Sequence, residues 1–157
     1  MKKTIILDDV LPTREDLLDL IDNKVDGINW YNLDEDHTYK KFCSSILDIT
    51  KNYFDLSDAV GYEFWGHNGT RADWHQDKDE TAIKTGKLSF PICSTVYYLE
   101  VSNLEGGELI IEDNLMIRPK TNRLVIFPPG QFHGVNPYQG KRVSLLVNPW
   151  NHQLSQK

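Results

Sequence analysis

From about residue 56 onward the chain is a succession of short β-branched and aromatic runs, each closed by Gly, Pro, Asn or Asp. The runs read VGYEFW, RADWHQD, CSTVYYLEV, GELIIE, LMIRP, RLVIFP and RVSLLVN. Each is too short for a helix and has the composition of a strand. About seven or eight such strands predict an antiparallel β structure closed into a sandwich or barrel, because closure removes exposed edges. An Asn-Gly pair in GHNGT, between the first two runs, predicts a hairpin there.

The first third reads differently. LPTREDLLDLID has Thr13 as an N-cap, acids in the first turn, and Leu17, Leu18, Leu20 and Ile21 on one side, which predicts an amphipathic helix. TYKKFCSSILDITKNYF repeats Phe42, Ile46, Ile49 and Phe54 at near-helical spacing and predicts a second. The fold class expected is therefore α+β, with a β-barrel-like core and the N-terminal helices packed on its outside. At 157 residues the chain is one domain, its helical part about 1–55 and its β core about 56–150.

A formal charge of −6 opposes attraction to nucleic-acid phosphates and anionic lipid, so a small-molecule or peptidyl substrate is the expected partner. The apolar run after MKK is too short for a signal peptide, and no segment is long enough to span a bilayer. Cys43 and Cys93 are expected as free thiols in a reducing, cytoplasmic setting.

The chemistry-bearing stretch is DWHQDKDE. On a strand, His75 and Asp77 share a face and Gln76 points away, so one cation could touch both. With five histidines and 23 acids, about 0.7 such pairs arise by chance. A second histidine raises the signal: in VIFPPGQFHGVN a strand ends at Phe127, turns through Pro128, Pro129 and Gly130, and delivers His133 at the start of another extended stretch. Two imidazoles and a carboxylate on a β scaffold form the facial set of mononuclear non-haem Fe(II) oxygenases, which leaves the opposite positions open. Zinc would also accept these ligands. In KRVSLLVNPW, Arg142 and Ser144 share a strand face and offer a guanidinium fork and a hydroxyl to one carboxylate, from a ligand or from the protein.

Together HQD, His133 and RVS resemble the 2-oxoglutarate and Fe(II)-dependent dioxygenases. STVYYLE, GGELII and RLVIFPPGQFHGV are similar to the prolyl 4-hydroxylase-like branch in particular, over about residues 55–148. The resemblance implies a double-stranded β-helix, or jelly-roll, with iron held by His75, Asp77 and His133. It implies that Arg142 pairs with the distal carboxylate of 2-oxoglutarate, helped by Tyr98 and by Ser144, and that no catalytic side chain is needed beyond the metal ligands. The activity implied is hydroxylation of an unactivated C–H bond, of a prolyl residue or amino-acid-like substrate, using O2 and converting 2-oxoglutarate to succinate; ascorbate is a candidate reductant. Retention of Asp77 argues against the halogenase variant, and Asn148 stands where the nucleic-acid demethylase branch has a second arginine.

Two other classes remain open: a cupin-like zinc or manganese enzyme working without dioxygen, and a catalytically silent 2-oxoglutarate-binding module. No nucleophile elbow or phosphate-binding glycine loop occurs. Trp65 and Trp74 are expected in the core rather than in a pocket. Arg71, Lys78, Lys84 and Lys87 are read as a solvated loop, residues 78–90 as a polar rim, and His37, His67 and His152 as lying in loops or at helix ends.

Overall fold

The computed structural model describes residues 3–13, 15, 17, 18, 25, 27–67 and 72–154. Its strands are β1 (Ile5–Leu7), β2 (Asn29–Asn32), β3 (Gly61–His67), β4 (Ala72–His75), β5 (Ser94–Gly106), β6 (Leu109–Ile111), β7 (Leu115–Ile117), β8 (Arg123–Phe127), β9 (His133–Val135) and β10 (Tyr138–Trp150). Helices α1 (Lys40–Thr50) and α2 (Glu80–Ile83) complete the set. Six strands form one sheet in the order β1-β8-β5-β10-β3-β2, and four form a second in the order β4-β9-β6-β7; every pairing is antiparallel.

Burial along β5 explains why two layers are needed. Ser94 through Leu99 are all buried, whichever way they point, so both faces of the large sheet are covered. Val96 and Tyr98 join Leu109, Ile111, Ile117, Val125 and Phe127 in a cluster between the two sheets. Tyr97 and Leu99, from the opposite face, pack with Phe42, Cys43 and Ile46 of α1, together with Phe64, Leu145 and Val147. The jelly-roll core is therefore as expected, with a helix on its outer face. Half of the helix predicted over LPTREDLLDLID lies outside the described residues; of its apolar positions, Leu17 is buried and Leu18 is exposed.

Four local expectations change. Ten strands are described rather than seven or eight, because the short β1 and β2 lack the alternating signature. The Asn68-Gly69 pair lies outside the described residues; β3 and β4 on either side of it belong to different sheets, so they do not pair with each other as a hairpin. His67 closes β3 rather than lying in a loop. The 78–90 segment contains α2, whose N-cap Asp79 is buried and accepts from the Thr81 and Ala82 N–H groups, both at 3.2 Å. Among the described residues, no helix is long and apolar enough to cross a membrane. Cys43 and Cys93 are buried thiols outside any disulfide, and burial pushes the Cys43 thiol far above its ordinary range.

Candidate metal and cosubstrate site

β4 and β9 are neighbours in the small sheet, and their register sets His75 directly opposite His133. The imidazoles face one another with centroids 4.4 Å apart. Asp77 is not on the strand, which ends at His75. Strand alternation is therefore not what aims it: the chain leaves β4 and turns its carboxylate back toward both rings. Asp77 Oδ1 lies 3.5 Å from His75 Nε2 and 3.4 Å from His133 Nε2. The donor atoms of the three residues all lie within 4.8 Å of one another.

The hydrogen bonds around the triad decide which atoms are available. His75 Nδ1 is 2.6 Å from the Asp73 carbonyl and His133 Nδ1 is 3.0 Å from the Gln131 carbonyl. A carbonyl only accepts, so each Nδ1 carries a proton and each Nε2 is turned into the cluster, where it donates to Asp77 when protonated and offers a metal its lone pair when not. Asp77 Oδ2 accepts from Ser94 Oγ at 2.7 Å and Asn148 Nδ2 at 3.0 Å, which leaves Oδ1 facing the imidazoles. Burial alone would raise the Asp77 pKa, but hydrogen bonding from His133, His75 and Ser94 outweighs it and holds the carboxyl well below its ordinary range. The bond to Asp77, opposed by burial, raises the His75 pKa. Two nitrogens and one anionic oxygen converging from one side fit a facial metal site.

A cavity of about 80 Å³ beside this triad reaches between the sheets, lined by Trp65, Val96, Leu109, Val135 and Leu146 and by Arg142 and Ser144. Arg142 and Ser144 share the inward face of β10 as expected, and both are buried. Arg142 Nε donates to the Gly107 carbonyl at 2.9 Å; its terminal nitrogens reach Ser144 Oγ at 3.5 Å and the Tyr98 hydroxyl at 3.4 Å. Those two contacts are long, and with the Gly107 carbonyl they steer the guanidinium, which lines the cavity. Gly107 sits at φ +78, and a Cβ there would stand 3.1 Å from Arg142 Cδ, so glycine is what lets the loop carbonyl reach the arginine. Tyr98 is fully buried, which raises its pKa, and its ring lies 5.1 Å from the guanidinium carbon.

A second cavity, of about 220 Å³, opens on the other side of His75 and Asp77, with Trp65, Gln76, Glu63 and Lys78 in its wall. Trp65 thus lines both cavities rather than sitting in plain core. Trp74 is 53% exposed and stacks on Phe132, so it is not core either. Gln76 points away from the triad as expected, and its Nε2 donates to the Gly130 carbonyl at 2.8 Å, tying the loop that carries Asp77 to the turn that precedes His133. Sequence reasoning missed Ser94 as a partner of Asp77, and noted Asn148 only for what it is not; neither carries a local signal.

A jelly-roll with a facial His-Asp-His cluster beside a buried arginine defines a class of metal-dependent oxygenases. The model of the 2OG-Fe(II) oxygenase superfamily matches residues 60–151, more than half of the chain, and the protein belongs to that superfamily. Fe(II) and 2-oxoglutarate are accordingly the metal and cosubstrate of its family. No functionally curated protein matches the chain by sequence. Among solved structures it is similar to a Pseudomonas putida prolyl-4-hydroxylase, with TM-score 0.65, 15% identity and coverage of 98% of this chain and 95% of that one. It is also similar to the viral collagen prolyl hydroxylase of Paramecium bursaria Chlorella virus-1, solved as a 2OG complex, with TM-score 0.62, 14% identity and coverage of 95% and 96%. A prolyl hydroxylase from Trichoplax adhaerens, in complex with a hypoxia inducible factor oxygen degradation domain peptide, matches with TM-score 0.64, 15% identity and coverage of 96% and 84%. At these identities the likeness is one of fold.

Proposed function

We infer that the chain is a hydroxylase, an Fe(II)- and 2-oxoglutarate-dependent dioxygenase acting on an unactivated C–H bond. The observation that carries this reading is that one cavity is lined both by the clustered His75, Asp77 and His133 and by the buried Arg142. A keto acid that chelates a metal at one end and carries a carboxylate at the other needs both, whereas a cupin-like isomerase needs no buried arginine there. Fe(II) with 2-oxoglutarate and O2 supplies the oxidant that converts C–H to C–OH, and 2-oxoglutarate leaves as succinate and CO2.

The residues divide the remaining work. His75, Asp77 and His133 hold the metal from one side. Arg142 pairs with the distal carboxylate of the cosubstrate, with the Tyr98 and Ser144 hydroxyls as further donors. Val96, Leu109, Val135 and Leu146 keep water from the stretch between, strengthening the charge pairing. The larger cavity on the far side of His75 and Asp77 receives the primary substrate, and a prolyl residue or amino-acid-like molecule suits both its size and the prolyl hydroxylase folds the chain resembles. Residues 1–157 act as one domain, and substrate choice comes from the segments around that cavity.

Anaerobic titration of the metal-free protein with Fe(II) and then 2-oxoglutarate tests the reading. A weak visible charge-transfer band is expected, absent in His133→Ala, followed by succinate formation when O2 and a prolyl or amino-acid substrate are admitted. Iron binding with no band would turn the assignment toward a cupin-like enzyme. A band with no oxygen-dependent product from any substrate would leave a 2-oxoglutarate-binding module.

A further inference from the structure

The two hydrogen bonds on the outer oxygen of Asp77 do more than hold the side chain in place. Ser94 is the first residue of β5 and Asn148 lies near the end of β10, both on the large sheet, while the two histidines come from the small one. Ser94 is 3% exposed and Asn148 is fully buried, so water does not replace either donor. The amide of Asn148 cannot flip freely, because its Oδ1 accepts from the Thr95 N–H at 2.9 Å, which fixes Nδ2 toward Asp77. Thr95 is itself locked to β10: its hydroxyl donates to the Val147 carbonyl at 2.6 Å and accepts from the Val147 N–H at 3.1 Å. Two donors on rigid, adjacent strands thus converge on Oδ2 while Oδ1 is left to the imidazoles.

Carboxylates bind metals through one oxygen or two, and here the difference has a functional consequence. Two imidazoles and one carboxylate oxygen leave about three positions on a six-coordinate metal, enough for a chelating keto acid and one more small ligand. A carboxylate bound through both oxygens leaves about two, which the keto acid alone fills. We propose that Ser94 and Asn148 are positioning residues that cap Asp77 Oδ2 and so hold the carboxylate to one-oxygen ligation, keeping the position that O2 requires open. The proposal rests on the reading of His75, Asp77 and His133 as the metal site.

Mn(II) is a suitable probe because its exchangeable waters can be counted by water-proton relaxation and its affinity measured by titration, both without turnover. The parent is expected to show about three exchangeable waters, falling to about one with 2-oxoglutarate. Ser94→Ala should bind Mn(II) about tenfold more weakly and Ser94→Ala with Asn148→Leu up to about a hundredfold, each showing one water fewer than the parent, before and after 2-oxoglutarate. Ser94→Thr, which keeps the hydroxyl, should restore the parental count; this and the single Ser94→Ala change guard against a double variant that fails to fold. Parental water counts in Ser94→Ala would overturn the proposal even if affinity falls, since a merely structural contact lowers affinity without changing the mode of ligation. If the parent itself binds no Mn(II), or binds it undiminished in His133→Ala, the metal-site reading fails and the proposal with it.

Discussion

At the scale of single residues, the site depends on which atoms are given a hydrogen-bond partner and which are left directed into the cavity. Each histidine has its Nδ1 tied to a carbonyl two residues earlier, so the backbone itself selects the tautomer. Arg142 is held at Nε by the Gly107 carbonyl, a neutral acceptor that fixes the side chain without neutralising its charge. Arg142→Ala should therefore raise the 2-oxoglutarate requirement by about 30- to 1000-fold, the equivalent of about 2 to 4 kcal/mol, with a smaller effect on kcat at saturating cosubstrate. Arg142→Lys should recover only part of this, because an ammonium keeps the charge and loses the planar fork. Steady-state kinetics with 2-oxoglutarate varied would decide it, and an unchanged KM in Arg142→Ala would remove this residue from the cosubstrate site.

At the scale of elements, short connections carry much of the positioning. The loop after β4 brings Asp77 back to the histidines, and two residues further on the Asp79 carboxylate caps α2. Asp79→Ala should cost about 1 kcal/mol of stability in a urea titration, a typical N-cap loss, and should speed proteolysis within residues 78–90. Equal cleavage rates in parent and variant would show that the cap does not order this segment. In the N-terminal part, His37 stacks on Tyr31 with centroids 3.5 Å apart, its Nδ1 accepts from the Tyr39 N–H, and its Nε2 lies 2.7 Å from the Tyr62 hydroxyl. Burial, with a smaller push from Lys40, lowers the His37 pKa below 6.5. The unfolded chain therefore takes up the proton first, so the stability His37 contributes is complete above about pH 6.5 and is lost as the pH falls below it. The urea midpoint should drop less between pH 7 and pH 5 in His37→Phe than in the parent; identical drops would show that His37 is not linked to folding.

These elements also show where sequence reasoning reached and where it stopped. His75, His133, Arg142 and Ser144 were legible because each sits in or beside a strand whose period and flanking turns are written locally. Asp77 was identified for an incomplete reason, since alternation was extended past the true end of β4. An Asn-Gly pair between two strand runs predicts a hairpin without saying which sheet the next strand will join, and β3 and β4 belong to different ones. Ser94 and Asn148 are 17 and 71 residues from Asp77 in the chain, and only the pairing of β5 with β10 brings them to it. A serine or an asparagine in a strand has no periodicity that announces such a partner.

For the molecule as a whole, the site is a joint between two layers. The histidines belong to the small sheet, while Asp77 is hydrogen-bonded to β5 and β10 of the large one. Three ligands converging on one ion would thus cross-link the sheets, and any ligand that binds only the folded state stabilises it by mass action. Adding Co(II), as an air-stable substitute for Fe(II), at a hundred times its dissociation constant should raise the unfolding free energy by about 2.7 kcal/mol. The gain should vanish in Asp77→Ala and should be accompanied by slower amide exchange in β4 and β9, the strands that carry the histidines. 2-Oxoglutarate added after the metal should stabilise further in the parent and much less in Arg142→Ala, because the second increment depends on the opposite end of the cavity. If metal raised the melting temperature equally in the parent and in Asp77→Ala, it would be binding elsewhere, and the cross-link between the layers would have no thermodynamic support.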